Sequence, residues 1–446
     1  MRTILLLGAG RSASSLIQYL ARHAAQQQWT LTVAERDLAQ ANKLVHGAGD
    51  AVQVVELDAN QAEARAALIG KHDLVISMLP AFMHMDVLRD CLRLKKHVIT
   101  PSYVPDALWP LDAEFKRAGL TVLNEMGADP GIDHMSAMRI LDHLRSLGAR
   151  MEAFESYCGG LVAPESDDNP WGYKFSWNPR NVVLAGQGPA ARYIQEGELK
   201  YIPYHRLFRR TTRVELPGLG AFDGYANRDS LKYRGIYGIA DIPTMLRGTL
   251  RKEGYCEAWD ALVQLGCTED GFNLELPAEA TWADFLNAFL PARAGAGLRT
   301  AVADHLGLDP TGAAMEKLEW LGLFGTGAIG QAGLSPAATL QRLLEAKWVL
   351  GPADKDLLVM WHRFRYALNG RSKEVHAALS VIGQDSIHTA MAQCVGLPIG
   401  IGAKLLLNGQ VRQHGVLLPL APELYNPILD ELATLGIAFQ ERAVEG

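Results

Sequence analysis

Short unbroken apolar runs alternate with amphipathic stretches through the first third of the chain. Thr3 to Leu7, Leu31-Thr-Val-Ala, Val52-Gln-Val-Val, Asp73-Leu-Val-Ile-Ser-Met-Leu, Val98-Ile-Thr and Leu120-Thr-Val-Leu read as strands covered on both faces, as parallel strands are. Between the first two, Leu16, Ile17 and Leu20 keep helical spacing. Strand and helix alternating in this way predict a doubly wound parallel sheet in an α/β protein. Asn124 to His134 then reads as a junction, with Asp129 as N-cap and Pro130 as the first residue of a helix. The apolar positions of that helix are Ile132, Met135, Ile140, Leu144 and Leu147. Gly127 and Gly131 let other atoms approach the backbone there, and Asp129 falls at the carboxyl end of a strand, where open α/β sheets bind ligands.

Beyond the junction the pattern changes. Met151 to Tyr157 reads as a strand, and Cys158 to Trp177 as a long irregular segment of the kind that serves a site, with Lys174, Ser176 and Trp177 offering charge and a flat wall. After about Gly254 the chain reads as all-helical. Thr281 caps a face of Trp282, Phe285, Leu286, Phe289 and Leu290, and Ser335-Pro336 opens another with Leu340, Leu343, Leu344 and Trp348. Leu357 to Leu368 and Glu374 to Val381 flank Asn369-Gly370, a hairpin signal. Ser386 to Leu407 reads as a helix that returns to the first domain, and Asn426-Pro427 opens a last helix ending at Gly436. The expected division is a Rossmann domain of 1–130 plus about 386–410, a mixed α/β substrate and dimerisation domain of 131–253 plus 351–385 and 411–446, and an all-helical insertion of 254–350.

Composition narrows the function classes. At 446 residues two or three domains are expected. Hydrophobic content of 48%, charged content of 21% and a net charge of −6 suit a soluble globular protein and give no nucleic-acid footprint. The cysteines Cys91, Cys158, Cys256, Cys267 and Cys394 lack metal-ligand spacing, so a reducing compartment and no metal centre are expected. The Ile4-Leu-Leu-Leu run is too short for a signal segment and no later run is read as spanning a bilayer, which points to the cytoplasm and no membrane partner.

Candidate chemistry begins at Gly8-Ala-Gly10-Arg-Ser-Ala13, directly after the first strand. In this Gly-x-Gly-x-x-Ala pattern the first glycine permits the turn, the second admits a pyrophosphate to the backbone, and the small third residue lets the helix pack. Glu35-Arg36 ends the second strand where a carboxylate takes ribose hydroxyls and repels a 2′-phosphate, which favours NAD, while Arg36 argues for NADP. Ser102 and Tyr103 follow a strand's carboxyl end and face the same crevice. Arg206, Arg209, Arg210 and Arg213 read as a solvated face. Arg228, Arg247 and Arg251, set among small and turn residues, are suited to gripping carboxylates.

These motifs, with Tyr157-Cys-Gly-Gly-Leu, Asp168-Asn-Pro-Trp-Gly-Tyr-Lys-Phe-Ser-Trp177, Asn227-Arg-Asp-Ser230 and Arg247-Gly-Thr-Leu-Arg251, resemble the glutamate-forming saccharopine dehydrogenases over nearly the whole chain. The resemblance implies a dimer of three-domain subunits that interconverts saccharopine with glutamate and aminoadipate semialdehyde. It implies a cofactor surface of Gly8, Gly10, Arg11, Ser12, Ala13, Glu35, Arg36, Asp58, Val75, Ser77, Gly131 and Asn178. It places saccharopine on Ser102, Tyr103, Asp129, Arg228, Thr249, Leu250 and Arg251, with Tyr103, Asp129 and Cys158 as the catalytic polar groups. Fungal members use NADP and carry a small residue at the position of Glu35, so Glu35 is a departure that favours NAD. A non-catalytic dinucleotide sensor, or an enzyme of the carboxynorspermidine type, are the competing expectations.

Overall fold

The structure is a computed structural model and describes residues 1–292 and 297–444. Residues 293–296, within the expected helical block, and 445–446, at the end of the expected mixed domain, lie outside the described residues.

The first sheet holds seven parallel strands in the order Gly415–Leu417, Thr121–Leu123, His97–Ile99, Leu74–Ser77, Arg2–Leu7, Trp29–Glu35 and Val52–Glu56. Its central strands are largely apolar because helices cover both faces, and Ile4, Leu5, Leu6 and Leu7 are wholly buried, whereas the edge strand Val52–Glu56 carries Gln53 and has no buried residue. The chain builds outward from Arg2–Leu7 in one direction and then, from Leu74–Ser77, in the other. The strand order therefore reverses between these two, and the crevice forms at their carboxyl ends.

The second sheet has nine strands. Along its main path run Thr211–Leu216, Gly220–Ala226, Thr244–Lys252, Arg150–Val162, Asp356–Leu368, Arg371–Ile382 and Gln440–Val444. The hairpin of Ala191–Gln195 and Glu198–Ile202 hangs on Thr244–Lys252. Thr244–Lys252 runs parallel to Arg150–Val162, and the other pairings are antiparallel. Asn369 and Gly370 both have positive φ, as the predicted two-residue hairpin turn requires. The block after Gly254 contains helices Tyr255–Leu265, Trp282–Asn287, Leu298–Leu306, Ala313–Leu321 and Pro336–Lys347. Thr281 and Asp284 form a reciprocal capping box at one start and Ser335 caps another.

The sheets are tied together by helix Ala390–Leu407. It packs on helix Ser14–Gln27, and side chains at Gly396 and Gly400 would run into Leu16 and Tyr19. Its first N–H groups, on Ala390 and Met391, donate to the buried carboxylate of Asp356 at the start of a second-sheet strand, at 2.5 and 3.0 Å. Its length and apolarity alone would suffice to cross a membrane, contrary to the reading of the sequence, yet 78% of that window is buried inside the protein.

Four further expectations need correction. The strand beginning at Arg150 does not stop at Tyr157 but continues through Val162, because Cys158 pairs with both Thr249 and Met360 and the residues after it stay paired with Asp356–Val359. Gly415–Leu417 does not join the mixed sheet, since it pairs in parallel with Thr121–Leu123 at the edge of the first. The last helix opens at Pro422 rather than Asn426, and Pro427 sits inside its first turns. The junction helix starts at Ile132 with Gly131 as its cap residue, so Asp129 is not the N-cap. The carboxylate that folds back on this terminus is Asp133, whose Oδ1 accepts the Gly131 N–H at 2.7 Å.

Candidate functional site

The glycine loop lies at the crevice. Gly8 has φ +93°, and a Cβ there would lie 3.1 Å from the Met78 carbonyl, so the tight turn under Leu74–Ser77 requires glycine. Gly10 is exposed with open space above it, and Ala13 is fully buried at the start of helix Ser14–Gln27. A backbone cradle free of side chains, ahead of a helix N-terminus, fits a pyrophosphate. Arg11 reaches from the loop to the Phe175 carbonyl at 3.2 Å, while Ser12 is half-buried. Beside the loop a cleft of about 460 Å³ opens between Arg11, Gln40 and Lys43 on one wall and Phe175, Ser176 and Trp348 on the other. Asp129, Tyr103 and Arg247 do not line it.

Glu35 ends its strand half-buried and folds back onto the loop. Its Oε2 accepts the Ala9 N–H at 2.7 Å and its Oε1 the Arg36 N–H at 2.8 Å. Arg36 is exposed. Asp58, one strand further, has its carboxyl held below the usual range by the N–H and side-chain amide of Asn60. Ser77 and Ser102 are joined by a residue that sequence reading passed over. His84 Nδ1 lies 2.9 Å from Ser77 Oγ, and its Nε2 lies 2.8 Å from Ser102 Oγ and 3.1 Å from Thr100 Oγ1. Burial pushes the His84 imidazole down to about 4, so it stays neutral at pH 7.

Several expected residues lie away from any open surface. Val75 is wholly buried among Leu5, Leu7, Val87 and Leu88, and the Leu250 side chain is core. A Cβ on Gly131 would fall 1.9 Å from the Gly127 carbonyl oxygen, so that glycine is required by the junction loop itself. Asn178 is exposed and caps helix Pro179–Val183 through the Arg180 N–H at 3.0 Å. Lys174 is buried between Asp168 and Asp354, each at 2.8 Å, and serves as a tie between loops. Arg206, Arg209, Arg210 and Arg213 are exposed, as expected of a solvated face.

The chemistry-bearing groups converge at the junction loop. Arg247, Thr249 and Arg251 alternate onto one face of Thr244–Lys252, and Thr249 stands beside Cys158 of the neighbouring strand. Arg247 Nη2 lies 2.8 Å from Asp129 Oδ1 and 2.7 Å from Asp133 Oδ2, and its guanidinium sits 4.6 Å over the Tyr233 ring. Tyr103 donates its hydroxyl to the same Asp129 Oδ1 at 2.8 Å. Behind this triad, Glu125 takes the Tyr233 hydroxyl and the Val104 N–H, and lies 2.8 Å from His134 Nε2. His134 Nδ1 in turn meets the Tyr237 hydroxyl. Arg251 runs instead into an aromatic wall, 5.2 Å from the Tyr173 centroid and 5.6 Å from that of Tyr255. Arg228 is exposed, with φ +42°, on the loop after Gly220–Ala226.

Electrostatics separates the three expected catalytic groups. Burial, with the Asp133 charge beside it, raises the Asp129 carboxyl above its ordinary value. Burial likewise raises the Tyr103 phenol and the Cys158 thiol far from neutrality, so both remain protonated at pH 7. Asp129, with 18% of its side chain exposed and both of its bonds on Oδ1, is the group moved toward neutral titration.

Residues 127–437 match the saccharopine dehydrogenase C-terminal domain, and residues 4–123 the saccharopine dehydrogenase NADP binding domain. The chain is 34% identical to the saccharopine dehydrogenase (NADP(+), L-glutamate-forming) of Saccharomyces cerevisiae, with 99% of each chain covered. It is 36% identical to the mitochondrial alpha-aminoadipic semialdehyde synthase of Bos taurus over 98% of its own length, but spans only 47% of that relative, about half. The solved apo saccharopine dehydrogenase (L-Glu forming) of Saccharomyces cerevisiae superposes with a TM-score of 0.89 at 33% identity, each chain covered completely. With both family models matched end to end along a chain that folds as that structure does, the chain belongs to the saccharopine dehydrogenase family.

Proposed function

We propose that the chain is an NAD(P)-dependent saccharopine dehydrogenase of the L-glutamate-forming type, interconverting saccharopine with L-glutamate and aminoadipate semialdehyde. The observation that carries this reading is the full-length match to the yeast enzyme of that name, together with Asp129, Tyr103 and Arg247 drawn to one point at the junction loop. The glycine loop fits a dinucleotide, whose nicotinamide would supply the hydride acceptor. Asp129 takes the proton of the secondary amine as the carbon–nitrogen double bond forms. Its Oδ2 is the accepting atom, since Tyr103 and Arg247 hold Oδ1. Water then adds to that bond and glutamate departs as the amine, with the proton passing back through Asp129. Tyr103 and Cys158 remain protonated, Tyr103 orienting the carboxylate and Cys158 packing beside Thr249.

For the substrate carboxylates, Arg228 is the exposed fork, and Ser102, Thr249 and Arg251 are the other positions assigned to substrate by the resemblance. For the cofactor we take NAD over NADP, because the Glu35 carboxylate sits at the end of the second strand, against a 2′-phosphate. The dinucleotide unit comprises residues 1–130 with about 386–417, the substrate unit 131–253 with 351–385 and 418–444, and the insertion 254–350. A cytoplasmic homodimer is the expected form, checked by sedimentation. The deciding experiment is nicotinamide absorbance with purified protein, saccharopine and each dinucleotide. Turnover with neither would overturn the enzymatic reading in favour of a dinucleotide sensor.

A further inference from the structure

Asp133 takes no part in the chemistry above, yet it is more deeply buried than Asp129, with side-chain exposures of 2% and 18%. One guanidinium nitrogen, Arg247 Nη2, serves both carboxylates, at 2.7 Å from Asp133 and 2.8 Å from Asp129. The two acids are not equivalent. Asp133 lies in the first turn of helix Ile132–Ser146, where the unpaired N–H groups and the helix dipole favour an anion, and its other oxygen accepts the Gly131 N–H at 2.7 Å. Asp129 lies outside that helix and, among the described residues, takes no backbone N–H. The groups that face it are Tyr103 from the loop after His97–Ile99, Cys158 and Arg247 from two adjacent strands, His134 from the helix, and Tyr237 from the segment after Ser230–Tyr233.

We propose that Asp133 is a positioning residue: permanently ionised at the helix terminus, it draws on Arg247 and thereby leaves Asp129 as the member of the pair that takes up and releases the proton. Two carboxylates around one cation cannot both be fully compensated, and the one with the additional fixed donor keeps its charge. Burial acts against the Asp133 charge, but His134, Arg247, the Gly131 N–H and His362 of the strand Asp356–Leu368 outweigh it and hold this carboxyl below its usual range. Asp129 is raised by burial first and by Asp133 second. The division of labour rests on the reading of Asp129 as the proton-transfer group. The difference between the two acids is a property of the resting protein and stands apart from that reading.

Infrared titration of the folded protein without substrate tests it, with the Asp129 carboxyl band identified by its loss in Asp129→Asn. In the wild type the higher-titrating band of the pair must vanish in Asp129→Asn; if it persists, Asp133 holds the proton and the proposal is overturned. In Asp133→Asn, Arg247 belongs to Asp129 alone, and the Asp129 midpoint is expected to fall by about one to three pH units, the effect of a newly dedicated opposite charge. The acid limb of kcat/KM for saccharopine should move the same way. A midpoint that stays or rises in a folded Asp133→Asn protein overturns the proposal. Should Asp133→Asn fail to fold, the comparison of wild type with Asp129→Asn still decides it. A band that behaves as expected without saccharopine turnover would remove the substrate reading and leave the carboxylate pair intact.

Discussion

Replacing Glu35 with serine should move the cofactor preference toward NADP, and the structure sets the scale. The carboxylate is held by two short bonds, 2.7 Å from the Ala9 N–H and 2.8 Å from the Arg36 N–H, so its charge is fixed at the loop rather than free to swing away. A 2′-phosphate carries about −1.5 to −2 charges at pH 7. With it about 6 Å from Glu35, repulsion amounts to ~1.4 kcal/mol in a water-like medium and to ~5 kcal/mol at the effective dielectric of a protein surface. Salt screening across a half-exposed site favours the lower end, so Glu35→Ser should raise the NADP-to-NAD ratio of kcat/KM by roughly 10-fold to 100-fold. Arg36, exposed beside it, becomes free to meet the phosphate in that variant. Initial rates followed at the nicotinamide absorbance, with both dinucleotides at several ionic strengths, give the ratio directly. A wild type that already prefers NADP tenfold, or a Glu35→Ser variant with an unchanged ratio, refutes the role given to the Glu35 charge.

Asp129→Asn should fold normally, because the residue caps no helix, and kcat/KM for saccharopine should fall by about a hundredfold to ten-thousandfold, the range for a positioned acid–base group; wild-type kinetics across pH would exclude it from proton transfer. Arg228→Ala should raise KM for saccharopine by roughly tenfold or more, the worth of one charge-assisted carboxylate contact, with KM for the dinucleotide and the melting temperature little changed. Arg247→Ala differs in kind: it strands two buried carboxylates and should cost about 3–5 kcal/mol of stability by chemical denaturation, whereas a loss under 1 kcal/mol would mean that the fork is not buried in solution. His84 and His362, both pushed down to about 4 by burial, bind protons in the unfolded chain first. Stability should therefore fall as pH drops from about 6.5 toward 4, by up to about 3 kcal/mol per histidine, and His84→Gln should flatten that decline in denaturant titrations.

Most of the first sheet was legible because a strand covered on both faces must be apolar throughout, and Ile4 to Leu7 or Leu74 to Ile76 have no other comfortable place. The edge strand Gly415–Leu417 was not legible for a related reason. Three residues carry no period, and its membership follows only from a register with Thr121–Leu123 nearly three hundred residues earlier. The strand from Arg150 was cut short in the sequence reading because two glycines usually signal an interruption. Here the space above Gly159 and Gly160 is taken by the Leu250 backbone and the Met391 side chain, so the glycines preserve the strand by admitting close neighbours.

The site shows the sharper divide between local and tertiary information. Asp129-Pro130 has the local form of a helix start, and a cap was the natural reading of it. What claims the carboxylate is Arg247, 118 residues away, through a contact that no spacing in the junction reveals. The pattern Asp129-x-x-x-Asp133 was visible, but two acids four apart usually mean an exposed helix face. Only the strand Thr244–Lys252, laid parallel to Arg150–Val162, brings a cation between them. Residue type and setting alone did not separate Arg228, Arg247 and Arg251, and the choice of Arg228 and Arg251 for substrate came from the resemblance. All three stand among small residues, yet one is exposed, one is paired with acids and one is stacked on tyrosines. A guanidinium already committed to two carboxylates has little left for a substrate, so Arg247 tunes the proton while the exposed Arg228 is left to grip.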